Sequence, residues 1–228
     1  MIPLESSSVH VWHTAFDCHS RESHVFQRWL SVGEKARADK LKRPYRQRFI
    51  LTRGLLRKLL SRYNGQPPEK IHFSYTPSGK PLLLGSSFGK AIEFNVSHSN
   101  NRVAFAFTVG TPIGIDLEFK SARKYIDQIA YRFFSKKDYE QLQTLTGNEK
   151  LNAFFKAWVA NEASVKAWGH SLKTHPFSQY TRSSDKEPVA LHSEKYPCSL
   201  FDLAFHPDFA AALAIKGDKK TIIIKKYD

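Results

Sequence analysis

The chain has 228 residues, of which 41% are hydrophobic and 13% aromatic, so it can bury a core in one or two domains. This composition excludes a disordered chain, and no apolar run reaches the ~20 residues that a membrane-spanning helix needs. The formal net charge of +14 favours a polyanionic partner: nucleic acid, an anionic membrane, a phosphorylated ligand or an acidic protein.

The cysteines and the N-terminus bear on the compartment. Cys18 and Cys198 could pair, but so low a cysteine content is typical of reduced thiols in a cytosolic protein. The first residues, MIPLESSSVH, contain no basic segment followed by an apolar one, so no secretory signal is predicted. The expected location is cytoplasmic.

A strand over 9–16 and a helix over 21–31 are the first predicted elements. A basic stretch follows at 34–49, and Pro44 breaks or begins a helix within it. The helix after Pro44 is expected to end at Asn64-Gly65, because glycine tolerates the left-handed cap. On that helix three arginines share one face, which is either solvated or a phosphate-binding surface: Arg46, Arg53 and Arg57.

Short strands dominate the middle of the chain. Lys80 stands in a turn at 77–81, and His98 falls in a polar hairpin loop at 97–101. Thr111-Pro112 is a candidate boundary between an N-terminal half at 1–111 and a C-terminal half at 112–228. The predicted strands cover 71–75, 91–96, 102–108, 113–118, 201–205, 210–215 and 221–225.

Helical periodicity returns in the second half. Helices are predicted over 121–132, over 135–145 with Ser135 as its cap, and over 149–168 with Asn148 as its cap. The element order predicts an α+β fold with mostly antiparallel sheets.

An acidic side chain interrupts the apolar stripe of the last predicted helix. Glu162 lies four residues after Trp158 and three before Val165, both of which belong to that stripe. Lys166 follows one turn later. A carboxylate on a core-facing stripe is costly unless a cation accompanies it.

Asp116 and Glu118 are the second acidic feature. They are two apart on a predicted strand, so both carboxylates point to one face, roughly 6–7 Å apart. Two acids on one face favour a cation between them, and their oxygen chemistry suits Mg²⁺ first and Mn²⁺ second. The alternative is an edge strand with a solvated acidic face. Glu162 would complete a set of three carboxylates.

Five segments, in this order and spacing, resemble 4′-phosphopantetheinyl transferases of the larger, surfactin-synthetase-activating (Sfp-like) class. They are GKP at 79–81, FNVSHS at 94–99, IGIDLE at 113–118, RFFS at 132–135 and WVANEASVK at 158–166.

The resemblance implies a pseudo-dimer of two similar α/β halves, each with a small, mainly antiparallel sheet packed on a long helix, and coenzyme A in the cleft between them. It implies transfer of the phosphopantetheine arm of coenzyme A to a serine of an acyl or peptidyl carrier protein, with release of adenosine 3′,5′-bisphosphate. Such carriers are acidic, which suits the charge of +14. A pseudo-dimer lets one chain form the whole site, so a monomer is expected.

The resemblance also implies roles for individual residues. Asp116, Glu118 and Glu162 would bind Mg²⁺, and Glu162 would accept the serine proton. Lys166 would contact the pyrophosphate and stabilise or protonate the leaving group. Residues expected to bind coenzyme A are Ser97 and His98 near the 3′-phosphate and ribose, Lys80 near the nucleotide, and Lys35, Arg37, Arg48 and Arg53 in the basic stretch.

The chain departs from the family pattern W-x-x-K-E-[AS]-x-x-K at Asn161, where a lysine is usual, and at Ser171, where a glycine is common. The lost charge weakens activity unless Lys156, Lys173 or an arginine compensates.

Two alternative functions remain: a coenzyme-A-binding relative without turnover, and a basic nucleic-acid-binding protein. The latter is disfavoured because the aromatic residues lie mostly on apolar stripes rather than among the basic ones.

Overall fold

Alternating apolar side chains along the strands, and apolar stripes along two long helices, generate a layered α+β structure. In a computed structural model of the protein, the described residues are 1–16, 22–85, 91–122, 125–170, 181–182, 189–192, 198–217 and 220–227. The helices among them are α1 (Glu22–Trp29), α2 (Val32–Asp39), α3 (Tyr45–Asn64), α4 (Ile126–Phe133), α5 (Lys136–Gln143) and α6 (Gly147–Ala167).

The strands form two larger sheets and one hairpin. The strands are β1 (Ser8–Ala15), β2 (Phe73–Tyr75), β3 (Pro81–Leu83), β4 (Ile92–Ser99), β5 (Arg102–Val109), β6 (Ile113–Phe119), β7 (Thr181–Arg182), β8 (Val189–His192), β9 (Cys198–Asp202), β10 (Phe209–Lys216) and β11 (Thr221–Lys226). The first sheet has the order β11-β1-β5-β4, the second has the order β6-β10-β9-β8-β7, and β2 pairs with β3.

All of these pairings are antiparallel except the parallel pairing of β1 with β11. The prediction of an α+β fold with mainly antiparallel sheets is therefore confirmed. The last strand returns to the sheet of the first strand, so the first sheet contains residues from both ends of the chain. The division into halves at 1–111 and 112–228 stays a prediction.

The core consists of three apolar layers between four layers of secondary structure. Trp12 and Phe105 face α3 from the first sheet, whereas Val11 and Ala104 on the other face pack against the second sheet. The second sheet repeats this arrangement, since Ala212 packs with α6 on its outer face. Each sheet therefore covers one long helix, and the two sheets face each other across a shared apolar layer.

Several predicted boundaries were wrong. Ser97, His98 and Ser99 belong to strand β4 rather than to a loop, because a turn at Asn100-Asn101 suffices to close the hairpin. Asn100 allows so short a turn, since asparagine tolerates the positive φ of 50° found there. The helix expected over 121–132 is α4, which begins at Ile126, and the strand expected over 201–205 is β9, which begins at Cys198 and ends at Asp202.

Two other predicted helix ends are confirmed. Gly65 caps α3 in the left-handed conformation, with a φ of 75°. Ser135 Oγ accepts a hydrogen bond from the amide of Asp138 at the start of α5. The cap of α6 is Thr146 rather than Asn148. None of the helices in the described ranges combines the length and apolarity needed to cross a membrane.

Candidate active site

Strands β4 and β6 meet at the edges of the two sheets, where polar side chains replace a backbone ladder. Side chains at alternate positions of β4 accept hydrogen bonds from alternate amides of β6: Asn95 from Ile115 at 2.9 Å, Ser97 from Leu117 at 3.2 Å, and Ser99 from Phe119 at 3.0 Å. Edge amides left without partners would be costly once buried, so these three side chains satisfy β6 and fix its register on β4.

Ser97 and Ser99 also bind the carboxylates of Asp116 and Glu118. Ser97 Oγ donates to Asp116 Oδ1 at 2.9 Å, and Ser99 Oγ donates to Glu118 Oε2 at 3.0 Å. Both carboxylates thus lie on one face of β6, as their spacing predicts. Asp116 is buried, whereas Glu118 is partly exposed, so the acidic face is not the solvated edge that was the alternative.

Helix α6 brings Lys166 to this face. Its Nζ donates to Asp116 Oδ1 at 2.6 Å, to Ser97 Oγ at 3.2 Å and to the backbone oxygen of Ile115 at 3.4 Å. Gly114 makes the approach possible, because a Cβ there would lie 2.0 Å from the backbone oxygen of Ala163. A residue without a side chain is therefore required where β6 crosses α6.

Glu162, one turn before Lys166, completes the acidic group. The pKa of Glu162 is raised to about 7, first by burial and then by the negative charge of Asp116, with a smaller contribution from Glu118, while the positive charge of Lys166 opposes the rise. The repulsion indicates that the three carboxylates share one electrostatic environment. Glu162 is therefore poised to hold or release a proton near neutral pH.

The donor set fits a hard divalent cation. Among the described residues, Asp116 Oδ2 is buried and has no hydrogen-bond partner, which leaves one oxygen of the carboxylate for a ligand. Carboxylate oxygens suit Mg²⁺, and a cation would relieve the repulsion acting on Glu162. In the part of the chain that the structure describes, however, no three His, Cys, Asp or Glu side chains lie close enough together to form a ready metal site. The lysine contact with Asp116 takes the place of a cation in this arrangement.

A pocket of about 560 Å³ lies beside the carboxylates, between α2, α3 and β4. It is lined by four of the residues that the resemblance assigns to coenzyme A: Arg37, Arg48, Arg53 and His98. Ser99 also lines it, so the pocket adjoins Glu118.

Three arginines give this pocket a positive charge: Arg37, Arg48 and Arg53. Among the described residues, Arg48 Nε is buried and without a hydrogen-bond partner, a costly state that an anionic ligand would relieve. Partial burial, and then the charges of Lys166 and Arg48, lower the pKa of His98, so its ring is neutral at neutral pH. The arrangement suits a phosphorylated ligand.

The remaining predicted binding residues lie elsewhere. Lys35 is exposed on α2, outside the lining of the pocket. Lys80 Nζ donates to the backbone oxygens of Ile113 and Lys166 at 3.0 Å each, and burial lowers its pKa. Lys80 therefore joins the start of β6 to the end of α6. Ser97 is buried between Asp116 and Lys166.

The shared arginine face of α3 was predicted as solvated or phosphate-binding, and one of its residues is neither. Arg57 is only 1% exposed, and its guanidinium pairs with Glu34 at 2.7 Å and donates to the backbone oxygen of Ile71. It is a structural residue of the core. Arg46, by contrast, forms an exposed ion pair with Asp39.

Asn161, where the family pattern has lysine, is buried, with 6% of its surface exposed. Lys156 pairs with Asp202 at 2.5 Å, so it does not supply the positive charge that is missing at position 161. Ser171 and Lys173 lie outside the described residues. The cations that line the pocket come instead from α2 and α3.

Three positions that matter to the geometry escaped the sequence prediction: Asn95, Ser99 and Gly114. The alternation of Asn95, Ser97 and Ser99 at every second position of FNVSHS is a strand signal that could have identified the first two. The close approach at Gly114 depends on a helix about fifty residues away in sequence, and no local pattern indicates it.

Known proteins resemble the chain over nearly its whole length. A family model described as the 4′-phosphopantetheinyl transferase superfamily matches residues 112–214, and one described as 4′-phosphopantetheinyl transferase, N-terminal, matches residues 15–109. The 4′-phosphopantetheinyl transferase HetI of Nostoc sp. (strain PCC 7120) is 33% identical over 218 residues, covering 95% of this chain and 91% of that protein. The 4′-phosphopantetheinyl transferase Sfp of Bacillus subtilis (strain 168) is 28% identical over 193 residues, covering 82% of this chain and 84% of that protein.

Similarity to solved structures is weaker. The crystal structure of Thermotoga maritima holo-[acyl-carrier-protein] synthase overlaps 48% of this chain and 63% of that one, with 18% identity and a TM-score of 0.37, too low to support an argument. The similarity in sequence, by contrast, extends over both sheets and both long helices. The chain therefore belongs to the 4′-phosphopantetheinyl transferase family, in its Sfp-like class.

Proposed function

We propose that the protein moves the 4′-phosphopantetheine arm of coenzyme A onto a serine of an acidic acyl or peptidyl carrier protein, in a Mg²⁺-dependent reaction that releases adenosine 3′,5′-bisphosphate. As a family member it is a phosphopantetheinyl transferase, an enzyme that uses coenzyme A as substrate and modifies carrier proteins. The metal, the product and the acceptor serine are the parts that the proposal adds.

One observation carries the proposal. Asp116 and Glu118 share a face of β6, Lys166 reaches that face from α6, and Glu162 is influenced by all three charges. A pocket lined by arginines opens beside them. An acidic group that suits a divalent cation therefore adjoins a basic pocket that suits phosphates, as a nucleotide with a pyrophosphate requires.

The basic pocket would hold the nucleotide end of coenzyme A. Arg37, Arg48 and Arg53 supply the charge for its 3′-phosphate, and His98 offers a neutral ring to the ribose side. Lys35, exposed on the neighbouring surface of α2, would attract the anion at longer range.

The carboxylates would hold Mg²⁺ together with the pyrophosphate. Asp116 Oδ2, which finds no hydrogen-bond partner among the described residues, is the oxygen best placed to take part, with Glu118 and Glu162 as the other ligands. When bound, the ion would offset negative charge that builds on the bridging oxygen of the pyrophosphate.

Glu162 would act as the base. The carrier serine Oγ attacks the phosphorus of the pantetheine phosphate, and its proton passes to Glu162 directly or through water. The bond from that phosphorus to the bridging oxygen breaks, and this oxygen leaves with adenosine 3′,5′-bisphosphate. Burial, the main cause of its raised pKa, makes Glu162 a stronger base than an exposed carboxylate.

Lys166 would stabilise the leaving oxygen. Its ammonium group has three N–H donors, directed at Asp116, Ser97 and the backbone oxygen of Ile115. The last contact is the longest, at 3.4 Å, so it is the one that a phosphate oxygen most readily replaces.

Incubation with an apo carrier protein, coenzyme A and Mg²⁺ tests the proposal. Intact mass spectrometry is expected to show the mass of one phosphopantetheine arm on the carrier, and none on a carrier whose acceptor serine is replaced by alanine. Tight coenzyme A binding without mass gain on several carriers would support a non-catalytic relative instead. Failure to bind coenzyme A would reject the proposal.

A further inference from the structure

The two serines of β4 have identical bonding patterns one strand-repeat apart. Ser97 Oγ accepts the amide of Leu117 and donates to Asp116, the residue before it. Ser99 Oγ accepts the amide of Phe119 and donates to Glu118 in the same way. Each serine on β4 therefore links a carboxylate of β6 to the backbone of β6.

We propose that Ser97 and Ser99 are positioning residues, which orient the Asp116 and Glu118 carboxylates for a divalent cation instead of contacting coenzyme A. The inference rests on the proposed function, because it concerns the metal site of that reaction. For Ser97 it replaces the phosphate contact that family resemblance implies.

Hydrogen-bond capacity carries the argument for Ser97. A hydroxyl has one donor hydrogen and two acceptor lone pairs. The hydrogen goes to Asp116 at 2.9 Å, and the lone pairs receive Leu117 N at 3.2 Å and Lys166 Nζ at 3.2 Å. A phosphate needs a donor, and Ser97 has none left unless it releases Asp116. The side chain is also buried, with 6% of its surface exposed.

The consequence for Asp116 is that its two oxygens differ. Oδ1 receives both Ser97 and Lys166, whereas Oδ2 is buried without a hydrogen-bond partner among the described residues. Fixing Oδ1 holds Oδ2 in one direction before any ligand arrives. Partners that orient ligating side chains in this way commonly affect metal affinity by about 10–100-fold.

Ser99 performs the equivalent function for Glu118, and it also lines the basic pocket. It therefore stands between the proposed nucleotide site and the proposed metal site. Glu118 has a longer and more exposed side chain than Asp116, so we expect loss of the Ser99 hydroxyl to widen the range of orientations of its carboxylate.

Asn95 provides a matched control. Its Oδ1 accepts the amide of Ile115 at 2.9 Å, in the same ladder, but within the described residues Asn95 has no hydrogen bond to Asp116 or Glu118. Asn95 also lines the basic pocket, so the variants are compared at saturating coenzyme A. Asn95→Ala leaves one buried amide without its partner, as Ser97→Ala and Ser99→Ala do. All three variants should therefore lose thermal stability, Ser97→Ala the most because it also loses the hydrogen bonds to Asp116 and Lys166, and only the serine variants should lose metal affinity.

The test is Mn²⁺ affinity, measured by electron paramagnetic resonance with saturating coenzyme A and no carrier protein. We expect Ser97→Ala and Ser99→Ala to weaken Mn²⁺ binding by about 10-fold or more, and Ser99→Thr, which keeps the hydroxyl, to retain affinity near that of the wild type. Asn95→Ala should stay within about twofold of the wild type. Coenzyme A affinity in EDTA, measured by calorimetry, should be unchanged in Ser97→Ala.

Two outcomes would overturn the inference. One is Mn²⁺ affinity in Ser99→Ala equal to that of the wild type, or lost equally in Asn95→Ala. The other is a loss of coenzyme A affinity in Ser97→Ala in EDTA, which would restore the direct contact. Wild-type protein that binds no Mn²⁺ beside coenzyme A would instead reject the metal part of the proposed function, so the two failures are distinguishable.

Discussion

Lys166 Nζ lies 2.6 Å from Asp116 Oδ1, and this ion pair joins helix α6 to strand β6 at the centre of the candidate site. The side chain of Asp116 is 5% exposed and that of Lys166 is 28% exposed, so water screens the ion pair only partly. The pair therefore links the stability of the fold to the electrostatics of the site.

A double-mutant cycle measures this link. Lys166→Met leaves a buried Asp116 without its cation and is expected to lower the free energy of unfolding by about 1–3 kcal/mol. Adding Asp116→Asn should recover part of the loss, because the buried charge is then removed. Urea unfolding of both single variants and the double variant gives the coupling free energy.

Lys156→Met is the control. It breaks the more exposed pair with Asp202 and should lower the free energy of unfolding by about 1 kcal/mol or less. Strictly additive effects of Lys166→Met and Asp116→Asn would contradict the pairing.

The raised pKa of Glu162 makes stability depend on pH. Its folded-state pKa of about 7 exceeds the ordinary value of 4.5, so the folded protein binds the proton more tightly than the unfolded chain. This contribution to stability is fully present below about pH 4.5 and is lost as the pH rises through about 7. Glu162→Gln is neutral at every pH and lacks this loss.

We therefore expect the melting temperature of Glu162→Gln, relative to wild type, to rise between pH 5 and pH 8, values that bracket the pKa of about 7. Thermal melts in EDTA across that range provide the measurement. Glu149→Gln, the same change at an exposed position on α6, should show no such trend. A constant difference between Glu162→Gln and wild type would show that Glu162 titrates normally.

Gly114 sets the distance between β6 and α6. In Gly114→Ala the new Cβ would meet Ala163 O at 2.0 Å and Ala167 N at 2.4 Å, both backbone atoms that cannot turn aside. The helix must move, at a cost of about 1–3 kcal/mol, and Lys166 and Glu162 move with it.

Transfer by Gly114→Ala should fall by about 10-fold or more, as measured by initial rates with saturating substrates. Gly33→Ala is the control, because nothing lies within 4 Å of a Cβ at that helical position. It should retain the activity and the stability of the wild type. A fully active Gly114→Ala would show that the helix does not need so close an approach.

Asn161→Lys restores the residue usual in the family. Because Asn161 is 6% exposed, the new ammonium group must be buried or reach the surface past its neighbours. We expect lower thermal stability, and coenzyme A affinity within about twofold of wild type, because arginines of α2 and α3 already line the pocket. Calorimetry gives the affinity. Tighter binding without loss of stability would mean that the missing charge does limit the site.

Local sequence patterns predict part of this site well. Helical periodicity places Glu162 on the apolar side of α6, and a spacing of two places Asp116 and Glu118 on one face of β6. These are properties of single elements, so they follow from the sequence once the element type is correct. The two long helices and most of the strands were found for the same reason, whereas β3, β7 and β8 were not predicted.

Contacts between elements could not be predicted in this way. His98 was assigned to a loop because the polar residues of SHSNN at 97–101 are typical of loops, although β4 continues to Ser99. Arg57 has the charge of a surface residue, and only its pairing with Glu34 explains its burial. The parallel pairing of β11 with β1 joins the two ends of the chain, which no local signal indicates.

The most direct test of the account compares Glu162→Gln with Glu149→Gln in phosphopantetheine transfer, with Mg²⁺ and with EDTA. Intact mass spectrometry of the carrier protein over time gives the rate. The account predicts that wild type and Glu149→Gln modify the carrier in Mg²⁺ but not in EDTA, and that Glu162→Gln is slower by about 100-fold or more. Near-normal transfer by Glu162→Gln, or transfer by wild type that EDTA leaves unchanged, would contradict the proposed acidic metal site.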